Sequence, residues 1–316
     1  MHSSLQAIYV NDDGVTLTAA FPSSFHAFAI HPFRLLFSRK EPTISIGSIT
    51  TAQGYCLVAV SGLPADPQFT TQSVCVFNNG VMMFRHTLES HILSIRISPN
   101  FLILGFHDEI QLWDFMGAQL SHRFTTGPNV HAPMDVSYVS KVLVCGGDTP
   151  VDLSLVNLEN LRRTNIKAAD NPLALINFST NSPLVATTSS AGHTIKVWNS
   201  LNGKCIVKCK RSNKASIVYS TSFSPDNRTL LVVTQNGCLH FFRIPTESKK
   251  APTNRADQML DLGINGILYS AWIAENRIAI ASMNGVLLIV TLSQDFSEIA
   301  RESVPFVQKI IEENVV

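Results

Sequence analysis

No stretch of this chain stays apolar long enough to cross a bilayer as a helix. The runs near Leu57 and Leu287 stop far short of the roughly 18 residues that a span needs. Excess charge of one sign is missing too. Lys and Arg number 24 against 23 Asp and Glu, a formal net charge of +1 over 316 residues, which excludes a polycationic nucleic-acid binder. A hydrophobic content of 45% excludes a disordered polar tail protein. No basic flank and apolar core open the sequence, so the expectation is a soluble, cytoplasmic protein.

Metal and catalytic signatures are absent as well. Six cysteines, at 56, 75, 145, 205, 209 and 238, form no Cys-x-x-Cys pair and have no histidine at zinc-finger spacing. Their neighbours are apolar and strand-like, the setting in which a free cysteine packs as a small hydrophobe. No glycine-rich phosphate loop with Lys and Ser or Thr follows a strand. His107-Asp108-Glu109 and Gly146-Gly147-Asp148 do not set nucleophile, base and orienter at a working spacing, and read as loops between strands. We therefore expect no enzyme, no catalytic residue, no cofactor and no small-molecule substrate.

A helical stripe is missing until the tail near Ile310, and short bursts of alternating apolar residues take its place. Ile217 to Phe223 reads as one strand and Thr229 to Thr234 as the next, joined by the turn Ser224-Pro225-Asp226-Asn227. Asn236-Gly237 then leads tightly into Leu239 to Phe242. Equivalent groups of four begin at Leu173 and His91, and weaker ones at Leu5, Ile44, Pro133 and Ile267. A four-strand unit recurring at roughly 40 to 45 residues is the period of a propeller blade. The predicted fold is all-β: a seven-bladed, WD-repeat-like β-propeller with four antiparallel strands per blade. It spans residues 1–304 with a tail at 305–316, each blade being built from contiguous sequence.

Trp113-Asp114 and Trp198-Asn199 each close a third strand, which resembles the WD-repeat propellers. A closer resemblance follows from Ile195-Lys196-Val197-Trp198, Lys210-Arg211-Ser212, Val218 to Ser224 and Gly237 to Phe242. In that order they resemble the PROPPIN family, phosphoinositide-binding seven-bladed propellers of autophagy and endosomal traffic. Asn11-Asp12-Asp13-Gly14 through His31-Pro32-Phe33-Arg34 is similar to the family's opening blade. The resemblance implies lipid-binding positions at Ser189, Lys196, Lys210, Arg211, Thr234 and His240. Because neighbours on a strand point to opposite sides, Lys210 and Arg211 are expected to part into two separate hollows on blades five and six.

Departures from the family pattern fall at Ala169, His193, Ser212 and Cys238. Lys in place of Arg at 210 also offers a point charge instead of a planar fork. The blade-six connection, Pro245 to Asp257, has no large apolar residue, whereas the family's loop inserts into the bilayer; Lys249, Lys250 and Arg255 would instead meet an anionic leaflet electrostatically. The resemblance implies phosphatidylinositol 3-phosphate or its 3,5-bisphosphate as ligand. It implies peripheral placement at preautophagosomal, endosomal or vacuolar membranes. It also implies contact with the lipid-transfer protein of autophagy through loops of blades two and three, where Phe69, in the long connection Ser61 to Gln72, is the candidate. The alternative is a WD-repeat protein-protein scaffold with weakened or lost lipid binding.

Overall fold

The computed structural model describes residues 5–11, 15–52, 56–115, 118–245 and 251–312. Asp12 to Gly14, Gly117, Glu247, Lys249, Lys250 and the last four residues of the tail lie outside them.

Within the described residues the alternating bursts fold into seven sheets, each with four antiparallel strands consecutive in the chain or nearly so, the fifth sheet carrying one further strand that pairs in parallel. The sheets cover 7–40, 46–87, 94–125, 134–167, 173–210, 218–261 and 268–304. The first strand of each sheet packs beside the first strand of the next. Leu268–Ala274 returns beside Ala7–Val10, so the sheets close into a ring of seven blades. The second strands, such as Leu57–Gly62 and Thr229–Thr234, are buried along their whole length. Outer strands such as Gln119–Thr125 are mostly exposed. This gradient, with both faces of the middle strands covered by neighbouring blades, is why their sequences read as continuous apolar runs and the outer strands as polar ones.

Apolar clusters fill each joint between blades. Between blades five and six, Val197, Cys209, Leu230, Val232 and Phe242 are buried together. Polar staples run around the ring in addition. Thr51 donates to Asn11 (2.8 Å) and His86 Nε2 to the Ala118 carbonyl (2.9 Å). One carboxylate, that of Asp135, accepts Arg96 Nε of blade three at 3.0 Å and the Phe178 amide of blade five at 2.7 Å. Asn177 then reaches the Thr221 carbonyl, Trp272 the Ser222 carbonyl, and Arg277 Nη1 meets His31 Nε2 at 3.0 Å, which brings the circuit back to blade one.

Among the described residues no first-blade strand completes the last sheet, as the contiguous reading of the repeats expected. The joint of blades seven and one is instead sealed by side chains and by the short helix Phe306–Glu312. Phe306 is fully buried with its ring 6.3 Å from that of Phe28, and Lys309 Nζ lies 5.2 Å from the Phe33 ring.

Candidate functional site

The implied lipid-binding residues gather where blades four, five and six meet, at the end of blade five where its second strand hands over to its third. That turn depends on Gly192, whose φ of +62° favours glycine and where a Cβ would stand 2.1 Å from the Ser216 carbonyl oxygen. The turn in turn holds Arg211. Its Nε donates to the Gly192 carbonyl at 2.7 Å and its Nη2 to the Lys214 carbonyl at 2.6 Å. A guanidinium has five N–H donors, so this anchoring fixes the fork and leaves donors for a ligand. Burial pulls the Arg211 pKa below its ordinary value, with Cys238 opposing the shift. A bound anion would relieve that strain on the charge.

Two hollows open here. The first, of about 150 Å³, lies between blades four and five and is lined by Ser189, His193, Thr194, Lys196, Ala169 and Asp170, among others. Lys196 Nζ donates to the Ala168 carbonyl at 2.5 Å and sits 5.8 Å from the Trp198 ring, so its ammonium is partly committed to the protein. The second, about 350 Å³, is bordered by Lys210, Arg211, Ser212, Asn213, Arg255, Ala256 and Met259, three cations and no carboxylate.

Several expectations are corrected by this geometry. Lys210 and Arg211 do not part into two hollows; both border the second. Thr194 stands opposite Lys210 in the ladder and lines the first hollow, yet Lys210, exposed at the end of the fourth strand of blade five, borders the second hollow and not the first. Neither cation is in an ion pair among the described residues, and neither lines the central channel. Thr234 and His240 are 2% and 3% exposed, and neither borders the second hollow. Thr234 donates to the Cys238 carbonyl at 3.2 Å. Burial first, and the Arg211 charge second, push the His240 pKa down to about 4, so the ring is neutral near pH 7. His240 Nδ1 is buried without a hydrogen-bond partner.

Phe69 is corrected in the same way. It is fully buried in the blade one and two cluster, with the Arg85 guanidinium 5.0 Å above its ring, and offers no contact surface. Asp66 Oδ1 folds the connection back by accepting the amides of Gln68 and Phe69 at 2.8 and 3.1 Å. Sequence reasoning treated Arg255 only as part of a loop charge facing a leaflet, whereas it borders the second hollow. Nothing in the local pattern Thr-Asn-Arg signalled that.

Fold and rim together define a WD-repeat-type seven-bladed propeller with a cation-lined hollow on its edge. The WD domain, G-beta repeat family matches residues 166–199. SVP1-like protein 2 of Emericella nidulans is 24% identical over 212 residues, 66% of each chain. Autophagy-related protein 21 of Schizosaccharomyces pombe is 22% identical over 250 residues, 77% of this chain and 73% of that one. Autophagy-related protein 18 of Yarrowia lipolytica is 20% identical over 279 residues, 80% and 69%. The chain thus matches about two thirds to three quarters of the length of these relatives. Among solved structures, Hsv2 of Kluyveromyces lactis superposes with a TM-score of 0.81 at 16% identity, over 95% of this chain and 99% of that one. The complex of KlAtg21 with the coiled-coil of AgAtg16 superposes with 0.73 at 14% identity, over 95% and 99%. The chain is thus similar over most of its length to these autophagy-related proteins, at identities of 20 to 24%, and shares the fold of Hsv2.

Proposed function

We propose that this propeller binds phosphoinositide headgroups, phosphatidylinositol 3-phosphate or the 3,5-bisphosphate, on the rim of blades five and six. In doing so it carries protein partners to autophagic or endosomal membranes, as a binding scaffold and not an enzyme. The observation that carries this reading is the pair Lys210 and Arg211 beside an acid-free hollow, the fork of Arg211 already fixed by two carbonyls. Charge-assisted bonds from such a preset fork to phosphate oxygens are the strong kind. Ser189 and Lys196 supply a second, smaller hollow. The protein is taken to be cytoplasmic, and peripheral at preautophagosomal, endosomal or vacuolar membranes. Loops of blades two and three are taken as the face toward the autophagy lipid-transfer protein, without Phe69.

A second reading, a protein-protein scaffold with little lipid affinity, is favoured by one observation. The Lys196 ammonium is partly committed to the Ala168 carbonyl, and Asp170 borders the same hollow. Flotation with liposomes containing phosphatidylinositol 3-phosphate separates the two readings. The parent is expected to float and the variant Lys210→Thr with Arg211→Thr to stay behind. A parent that stays behind would replace lipid binding with the scaffold reading, and equal flotation of both proteins would remove Lys210 and Arg211 from the lipid site.

A further inference from the structure

The connection leaving the third strand of blade six does not remain a free loop. Its residues Thr253–Arg255 lie parallel to Cys205–Lys210 and add a fifth strand to blade five, with Thr253 beside Lys208, Asn254 beside Cys209 and Arg255 beside Lys210. This strand, alone among those described, joins a sheet other than that of its sequence neighbours. It is three residues long and sits on an edge, so few backbone bonds hold it.

Its register also brings two cations together. Like charges side by side in a ladder oppose the pairing, and among the described residues neither Lys210 nor Arg255 has a hydrogen-bonded or ion-paired side-chain partner. The carboxylate nearest in sequence, Asp257, is engaged elsewhere: it accepts the Arg243 amide at 2.9 Å and lies 3.7 Å from Arg243 Nε. Arg211 completes a triangle of positive charge around the hollow of about 350 Å³.

We propose that Thr253–Arg255 is a clip, and that Arg255 is a third ligand for a phosphate-bearing anion held by Lys210 and Arg211. The inference rests on the anion-binding reading of this rim and adds a residue and a coupling to it. A phosphomonoester dianion supplies the acceptors that the two facing cations lack and cancels their repulsion. Binding therefore stabilises the docked strand, and the docked strand raises affinity by the same factor. A lipid headgroup and free phosphate share this chemistry.

The test uses the full chain and three probes: soluble inositol 1,3-bisphosphate, inorganic phosphate, and vesicles containing phosphatidylinositol 3-phosphate. Arg255 is exposed, so Arg255→Gln leaves the core intact. It is expected to weaken bisphosphate binding roughly ten- to hundredfold, the loss of one charge-assisted bond. Arg255→Lys should recover part of that loss, and bound bisphosphate should slow amide exchange across 253–255 in the parent. A strong preference for bisphosphate over inorganic phosphate supports the clip with a headgroup as its ligand. Equal binding of both, with the same loss in Arg255→Gln, supports the clip with free phosphate as its ligand. Should Arg255→Gln bind like the parent while Lys210→Thr with Arg211→Thr has lost binding, the clip is overturned and the rim site stands. A parent that binds none of the three probes overturns both.

Discussion

His26 and His240 occupy the third position of the third strand in blades one and six, both are buried, and burial is the main reason each titrates near pH 4. The folded protein keeps both rings neutral, while the unfolded chain takes up protons near the ordinary value of 6.5. Between pH 6.5 and 4 the unfolded state therefore binds more protons, and stability falls as acid is added; below 4 the loss levels off. The loss amounts to roughly 3 kcal/mol per histidine. Urea midpoints at pH 7 and pH 4.5 should show the fall, and His240→Phe, which keeps the stacking on Phe242 and removes an unpaired nitrogen, should reduce it while holding the pH 7 midpoint. A second residue-scale expectation concerns Gly192→Ala. The close Ser216 carbonyl and the positive φ should cost about 1 to 3 kcal/mol, and the displaced turn should lower anion affinity through Arg211. Gly146→Ala, where a Cβ would meet nothing within 4 Å, should melt like the parent. The positions of Lys210 and Arg211 were legible in the sequence because order along the repeat fixes order along the rim. Which hollow each one borders was not, since that depends on which neighbouring strand rises beside it.

At the scale of elements, the four-strand units announced themselves through turns such as Asn236-Gly237 and Asn284-Gly285, both glycines having positive φ. The strand Thr253–Arg255 did not, because three polar residues carry no alternation and its pairing lies in a different blade from its sequence neighbours. The helix Phe306–Glu312 showed only as apolar residues in a tail, whose docking partner is at the far end of the sequence. Removing its anchor tests that docking. Phe306→Ala should cost about 3 to 5 kcal/mol, the range for emptying a buried aromatic site, read as a shift in the chemical-denaturation midpoint. A shift below about 1 kcal/mol would mean that the helix contributes little to closure.

For the whole molecule, Asp135 is the most economical test of the ring, since its carboxylate joins three successive blades. Asp135→Ala leaves Arg96 partly buried and a strand amide unpaired, and should destabilise by about 3 to 5 kcal/mol. Glu159→Ala, which opens an exposed pair with Lys141, should stay within about 1 kcal/mol. Thermal melts of both variants beside the parent decide the point. Blade number and order were readable from the period of the repeat, whereas the staples between blades join residues 32 to 50 positions apart, and 246 apart at the closure, and leave no local trace. How the circle closes carries one more consequence. Since no strand from the first blade is handed to the seventh, a nascent chain leaves the ribosome as an open strip of sheets. The flank of the first blade carrying Leu17, Phe28 and Ile30 waits uncovered until the seventh blade and Phe306, which pack against it, have been synthesised, and during that interval it is an apolar surface open to association.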